Sequence, residues 1–156
     1  MAVPEDAAEL VRLAALMFES MGVDARDPAW RAEAERQAES RLGRDLVAFV
    51  IDHPDRPGGL ACSAAGTVAD RLPSPMNLTG RSGYVQWVAT EPELRRRGAG
   101  RAVMRALLAW YGAAGVTVVE LHATSDGEPL YRSLGFDDDG PPALRRRAWL
   151  LADEPT

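Results

Sequence analysis

The chain has 156 residues and a mass of 16.9 kDa; 46% of the residues are apolar, 26% are charged, and the formal net charge is −5. One cysteine, Cys62, excludes an internal disulfide, and His53 and His122 stand too far apart to resemble a metal-ligand pair, so no metal is expected. The acidic balance argues against a nucleic-acid partner, and all 18 basic residues are arginine, which removes Schiff-base lysine chemistry and the lysine of a P-loop.

The opening residues MAVPEDAAELVR carry no basic stretch ahead of an apolar core, so a secretory signal is not expected and the chain reads as cytoplasmic. From Pro4 to Met21, apolar residues at Leu10, Ala14, Met17 and Met21 predict an amphipathic helix that Gly22 ends. Asp27-Pro28 opens a second helix running to about Leu42, whose alternating acids and arginines read as a solvated face. Leu46–Ile51 is a short strand, DHPDRPGG a turn, and Leu60–Val68 a second strand rich in small residues. Arg71–Gly83 has two prolines and two glycines and reads as a loop, long enough to be expected as a lid or binding segment.

Tyr84–Thr90 is a strand, and after it comes ELRRRGAGRAVM, followed by a helix with Val103, Met104, Leu107, Leu108 and Tyr111 on one stripe. The mostly apolar run from Ala106 to Val119 falls short of the ~18 residues a membrane helix needs, so no membrane is expected. Val116–Thr124 is a β-branched strand. Ser125 and Glu128 have capping-box spacing ahead of a short helix that stops at Gly135, and Ala143–Leu151 reads as a last strand. Helices first, then strands with interspersed helices, predict a single domain over residues 1–156 with an α/β, mixed α+β layer fold.

The arginine-glycine segment sits where a strand gives way to a helix. A first helical turn has unpaired N–H groups and partial positive charge, so it binds anions. Gly98 and Gly100 lack side chains that would keep a phosphate off the backbone, and Arg96, Arg97 and Arg101 add charge-assisted hydrogen bonds at the rim. The expected ligand is a phosphate, most simply a pyrophosphate. A dinucleotide fingerprint matches only in part: Val103 replaces the third glycine, although Glu120 lies at about the right distance for the acidic residue.

VATEPELRRRGAGRAVMRALL resembles motif A of the GNAT superfamily of acyl-CoA-dependent N-acetyltransferases, with Arg95, Gly98 and Gly100 at the motif positions and Pro92 at the family's proline. LYRSLGF, Leu130–Phe136, resembles the family's Tyr-x-x-Leu-Gly-Phe. The resemblance covers Tyr84–Phe136 well and the earlier residues loosely. It implies a central mixed sheet flanked by helices, in which two neighbouring parallel strands splay apart. It further implies that the pantetheine arm of acetyl-CoA, as co-substrate, pairs with the backbone of Val88, Ala89 and Thr90. The pyrophosphate would be held at Arg96, Arg97, Gly98, Ala99, Gly100 and Arg101, and Tyr131 would protonate the departing thiolate. Direct attack by the amine requires no covalent intermediate and leaves Cys62 without a role.

Glu120 and His122 share one face of a strand and are candidates for the general base, with a water chain as the alternative. Ser125 reads as a helix cap and as a CoA contact. Gln86, Trp87, Trp30 and Tyr84 read either as core or as the wall of an acceptor pocket, and Asp137–Asp139 as a solvated turn. The family's opening strand is missing or vestigial here. The resemblance implies transfer of an acetyl group to a primary amine of a small molecule or peptide, in a protein whose relatives often form homodimers. A non-catalytic acyl-CoA-binding module and a dinucleotide-binding enzyme are the competing functions.

Overall fold

A 3₁₀ turn over Pro4–Asp6 leads into helix α1 (Ala7–Ser20), which buries Leu10, Val11, Leu13, Ala14 and Ala15. The computed structural model describes residues 1–140 and 143–145. Gly22 follows α1 at φ +76°, a conformation that favours glycine and stops the helix as its sequence predicts. Helix α2 (Pro28–Arg41) opens with Asp27 Oδ1 accepting the Ala29 N–H at 2.9 Å, and Pro28 occupies a first-turn site that needs no donor. Only Ala38 of α2 is buried. This helix rests on the protein through Ala38 and through Trp30, which meets Phe18 of α1.

Strands β1 (Leu46–Asp52), β2 (Leu60–Asp70), β3 (Arg81–Thr90) and β4 (Val118–Leu121) form one sheet in that order. The first three are antiparallel, and β4 runs parallel to β3. Strand β3 starts at Arg81, inside the segment predicted as loop, because Asp70 pairs with Arg81 and the Arg71 N–H reaches the Gly80 carbonyl at 2.9 Å. The connection over 71–80 is therefore the end of a β2–β3 hairpin, and none of its residues lines the cleft described below.

Helix α3 (Ala99–Ala113) covers one face of the sheet with Val103, Met104, Leu107 and Tyr111, packed on Val47, Cys62, Ala64 and Val85. Helices α1 and α2 cover the other, where Leu10 and Leu13 meet Leu46, Ala48, Leu60, Ala65 and Ala89. Tyr111 fits only because two sheet residues lack side chains. A Cβ at Gly83 would lie 2.8 Å from its ring, and one at Gly66 would overlap its hydroxyl. That hydroxyl lies 3.0 Å from the Thr67 carbonyl and 3.2 Å from the Tyr84 carbonyl, and donates between them. Burial pushes the phenol's pKa up to about 12.

Helix α4 (Glu128–Arg132) ends before Gly135 at φ +92°. Ahead of the 3₁₀ turn, the Ala2 N–H donates to the Ala48 carbonyl at 2.8 Å and ties this segment to β1. Ala143–Arg145 are irregular, and the rest of the expected last strand, to Leu151, lies outside the described residues. Among the described residues no helix is long and apolar enough to cross a membrane.

Candidate active site

The parallel ladder between β3 and β4 runs from Ser82–Val118 to Val85–Leu121 and stops there. From Trp87 onward β3 keeps its β2 partner but has no partner on the β4 side among the described residues. The two strands splay, as the resemblance implies. The cause lies in β3 itself: Ala65 pairs with Trp87 and Gly66 with Val85, so Gln86 is an extra, unpaired residue. Such a bulge bends and twists the strand that carries it.

Backbone direction follows from register. The Glu91 N–H bonds the Ala61 carbonyl at 2.8 Å, and alternate residues of a strand point their polar groups to opposite edges. Ala89 therefore faces β2 like Glu91, and its amide is committed to the sheet, whereas Val88 and Thr90 face the gap. The Thr90 carbonyl is taken by Arg95 Nε at 3.1 Å. The groups left for a ligand are both backbone groups of Val88 and the N–H of Thr90.

The chain then turns through Pro92–Leu94, a 3₁₀ segment, into α3. Arg96 has φ +60° and Gly98, the cap of α3, has φ +85°. An αL conformation costs a non-glycine residue roughly 1–2 kcal/mol, so Arg96 is held there by its surroundings. Alternating handedness of this kind folds successive N–H groups into an anion-binding concavity. The first helical bond runs from Ala102 to Gly98 at 3.0 Å, and among the described residues no side chain caps the turn. The N–H groups of Ala99, Gly100 and Arg101 thus lack helical partners. A Cβ at Gly100 would meet Leu130 Cδ2 at 3.5 Å and Thr90 Oγ1 at 3.8 Å, so it would enter the cleft at ordinary contact distance.

The start of the turn is pinned by ion pairs. Glu91, with its side chain only 6% exposed, lies 2.7 Å from Arg12 Nη1 and 2.8 Å from Arg56 Nη2. Glu9 holds Arg12 at 2.7 Å and accepts the Leu60 N–H at 2.8 Å. Burial pushes both carboxyls up, but the arginines, and for Glu9 the Leu60 N–H, outweigh it and hold both below the ordinary range. His53, Glu91 and Glu93 place ligand-type atoms within 4.8 Å of one another, but the arginine pair on Glu91 already neutralises it.

Val88, Ala89, Thr90, Arg96, Gly98, Ala99, Gly100, Arg101, Ser125 and Tyr131 all line one cleft of about 760 Å³. Arg97 and Glu120 do not line it. Glu120 pairs with Arg71 at 3.0 Å, its side chain half exposed; His122 Nδ1 meets the Tyr84 hydroxyl at 2.7 Å and its Nε2 meets Arg145 at 3.2 Å. Neither expected base reaches the cleft, because both project from the part of β4 that is still paired or just past it. Tyr131 enters from α4, with Phe136 edge-on at 6.0 Å, and burial raises its pKa. A phenol in that setting stays protonated at neutral pH. Gly127 makes room for it: a Cβ there would lie 3.0 Å from Tyr131 Cε2.

The capping box expected at Ser125 does not form. Thr124 Oγ1 accepts the Gly127 N–H at 3.2 Å instead, leaving the Ser125 hydroxyl without a hydrogen bond among the described residues. Met17, Ser20 and Met21 from the end of α1, and Leu94 and Leu130, complete the walls. Sequence reasoning missed them because their apolar spacing is also that of core. Cys62 is fully buried against Thr90 Oγ1 at 3.1 Å, and burial raises its pKa, which suits a thiol with no chemical role.

The Acetyltransferase (GNAT) family profile matches residues 10–136. By fold, the chain is similar to a predicted acetyltransferase with acetyl-CoA from Clostridium acetobutylicum, at a TM-score of 0.80 and 25% identity over 92% of each chain. A GCN5-related N-acetyltransferase from Ralstonia eutropha JMP134 aligns at 0.79 and 24% identity, over 93% of this chain and 95% of that one. Glucosamine-6-phosphate N-acetyltransferase from Arabidopsis thaliana aligns at 0.70 and 16% identity over 94% of each. Those two likenesses carry the fold alone. Among curated protein sequences none matches. A profile spanning the splayed strands, the glycine turn and the tyrosine helix leaves one conclusion: the chain belongs to the GNAT acetyltransferase family.

Proposed function

We propose that the protein transfers an acetyl group from acetyl-CoA to a primary amine of a small molecule or peptide, by direct attack within a ternary complex. The observation that carries this reading is that one cleft joins the anion-binding turn, the freed edge of β3 and the Tyr131 phenol. The turn at Arg96–Arg101 fits the diphosphate of the coenzyme, and Val88 and Thr90 fit its amide-bearing arm. Gly100 supports the fit, since a side chain there would occupy the cleft.

Acetyl-CoA supplies the thioester; the chain supplies position and protons. An amine with a pKa near ~10.4 is mostly ammonium at neutral pH, so its proton must leave first. Glu120 is engaged by Arg71, so water in the cleft takes that role. The amine nitrogen then forms a bond to the thioester carbonyl carbon, and the backbone N–H of Val88 steadies the developing oxyanion. The C–S bond breaks as Tyr131 gives its proton to the sulfur, and the proton that the nitrogen sheds in becoming an amide passes through cleft water back to the phenolate. The raised phenol pKa keeps that proton available.

Thiol release from acetyl-CoA over a panel of amines tests the reading. Release that depends on an amine supports it. Tight CoA binding with no release on any amine would replace it with a non-catalytic acyl-CoA-binding role.

A further inference from the structure

A second hollow, of about 260 Å³, lies under α2, on the α1–α2 face of the sheet. Its apolar walls are Trp30, Ala34, Ala38, Leu46 and Trp87, with Gln86 at the rim. Trp30, Ala34 and Ala38 stand four residues apart on α2 and so share one stripe. Protein interiors are close-packed, and an apolar helix stripe ordinarily fills the space beneath it. Alanine at two successive positions leaves that space open between two tryptophans. Trp30 is held from behind by Phe18, edge-on at 5.6 Å and 87°. The wall is therefore set before any ligand arrives.

The hollow is connected to the chemistry through β3. Trp87, its floor, directly precedes Val88, whose backbone faces the splay, and a strand advances ~3.3 Å per residue. A group lodged on Trp87 and joined to an amine by a short alkyl tether would carry that amine toward the gap beside Val88. The charges nearby are spent. Glu33 is bound by Arg36 at 2.6 Å and by Gln37 at 2.8 Å, and Arg41 is bound by Asp45 at 2.6 Å. Among the described residues lining the hollow, a phosphorylated sugar would find no free cation and a polyamine no free carboxylate.

We propose, building on the acetyltransferase reading above, that the acceptor is an arylalkylamine whose single aromatic ring lodges between Trp30 and Trp87. Phenethylamine, n-propylamine, spermidine and glucosamine 6-phosphate, compared at equal acetyl-CoA by thiol release, rank the classes. Even a single methylene in an apolar pocket is worth roughly 10–200-fold in kcat/KM, so phenethylamine, which adds a whole ring, should exceed n-propylamine by at least about 10-fold. The substitution Ala34→Leu fills the hollow with a good helix former and should abolish that preference while the thermal midpoint holds. Independently of turnover, phenethylamine added to the CoA-bound protein should change tryptophan emission saturably, and Ala34→Leu should remove the change. Preference for spermidine, the sugar phosphate or n-propylamine, or an emission that phenethylamine leaves unmoved, would overturn the assignment. An emission change with no transfer to any amine would uphold the ring site and sink the acetyltransferase reading instead.

Discussion

Gly100→Leu separates the needs of the fold from those of the ligand. At this position φ is ordinary, and a Cβ meets its nearest neighbours, Leu130 and Thr90, at 3.5 and 3.8 Å. The folded chain therefore accepts a side chain without strain. Leucine is a better helix former than glycine by about 0.8 kcal/mol in a helix interior, less in a first turn, so the free protein should melt no lower than wild type and up to about 3 °C higher. The leucine side chain, however, projects into the cleft that the turn lines. If the N–H groups of Ala99–Arg101 hold a diphosphate, displacing it forfeits at least one charge-assisted bond, about 1.5–3 kcal/mol, or roughly 10–150-fold in Kd. Thermal unfolding with and without CoA reads both effects. At a CoA concentration of about 100 wild-type Kd, ligand adds about 2.7 kcal/mol to wild type, and a tenfold weaker variant gains only about 1.4 kcal/mol. Equal CoA-induced shifts in the two proteins would refute the cradle. A free variant melting well below wild type would refute the packing argument.

Tyr131→Phe should lower kcat by about 10²–10⁴-fold, the usual worth of a positioned general acid, with little change in the KM for acetyl-CoA; unchanged steady-state turnover would remove it as the donor. Glu91→Gln should cost about 3 kcal/mol in denaturant unfolding, at the low end for a broken buried pair because Arg12 and Arg56 keep partial access to water. Glu9 and Glu91 have depressed pKa values, so the stability they contribute is present above the ordinary carboxyl pKa of 4.5 and is lost as pH falls below it; an acid titration of Glu91→Gln should show a flatter decline than wild type. Tyr111 has the opposite sign. Its pKa rises from 10.0 to about 12, so stability should fall by about 2–3 kcal/mol between those pH values, and Tyr111→Phe should remove that slope in alkaline denaturant melts.

The parts legible in the sequence are those whose local chemistry has one solution. Asp27-Pro28 caps a helix wherever it stands, and Gly98 before Val103, Met104 and Leu107 can hardly be anything but a turn opening an amphipathic helix. The side of the cleft proposed for the coenzyme draws on that turn and the tyrosine helix. What was not legible depends on partners distant in the chain. Thr124, not Ser125, satisfies Gly127, because the turn before α4 is set one residue earlier than the expected capping box, with the same three-residue spacing. Glu120 reads as a free carboxylate until the hairpin brings Arg71 to it across 49 positions. The inner stripe of α2 was hidden by composition, since charges around Ala34 and Ala38 suggest a solvated helix and conceal the fact that small residues face inward.

The extra residue at Gln86 ties the two sides of the site together. With strict alternation, Val85 and Trp87 would share a face, and Trp87 would lie under α3. Instead Val85 packs with Met104 and Leu107, Trp87 packs on the α1–α2 side, and Val88 returns to the α3 side. One inserted residue thus shifts the phase of the strand at the same point where its parallel partner ends. The shift sends a tryptophan to the floor of the hollow under α2, while the accompanying bend opens the gap beside Val88. Thus a single backbone irregularity, invisible in the run Tyr84–Thr90, positions both the apolar wall proposed for the acceptor and a free strand edge within neighbouring residues. That proximity is what a reaction between two bound molecules requires, because each must be held at contact distance from the other before the bond can form.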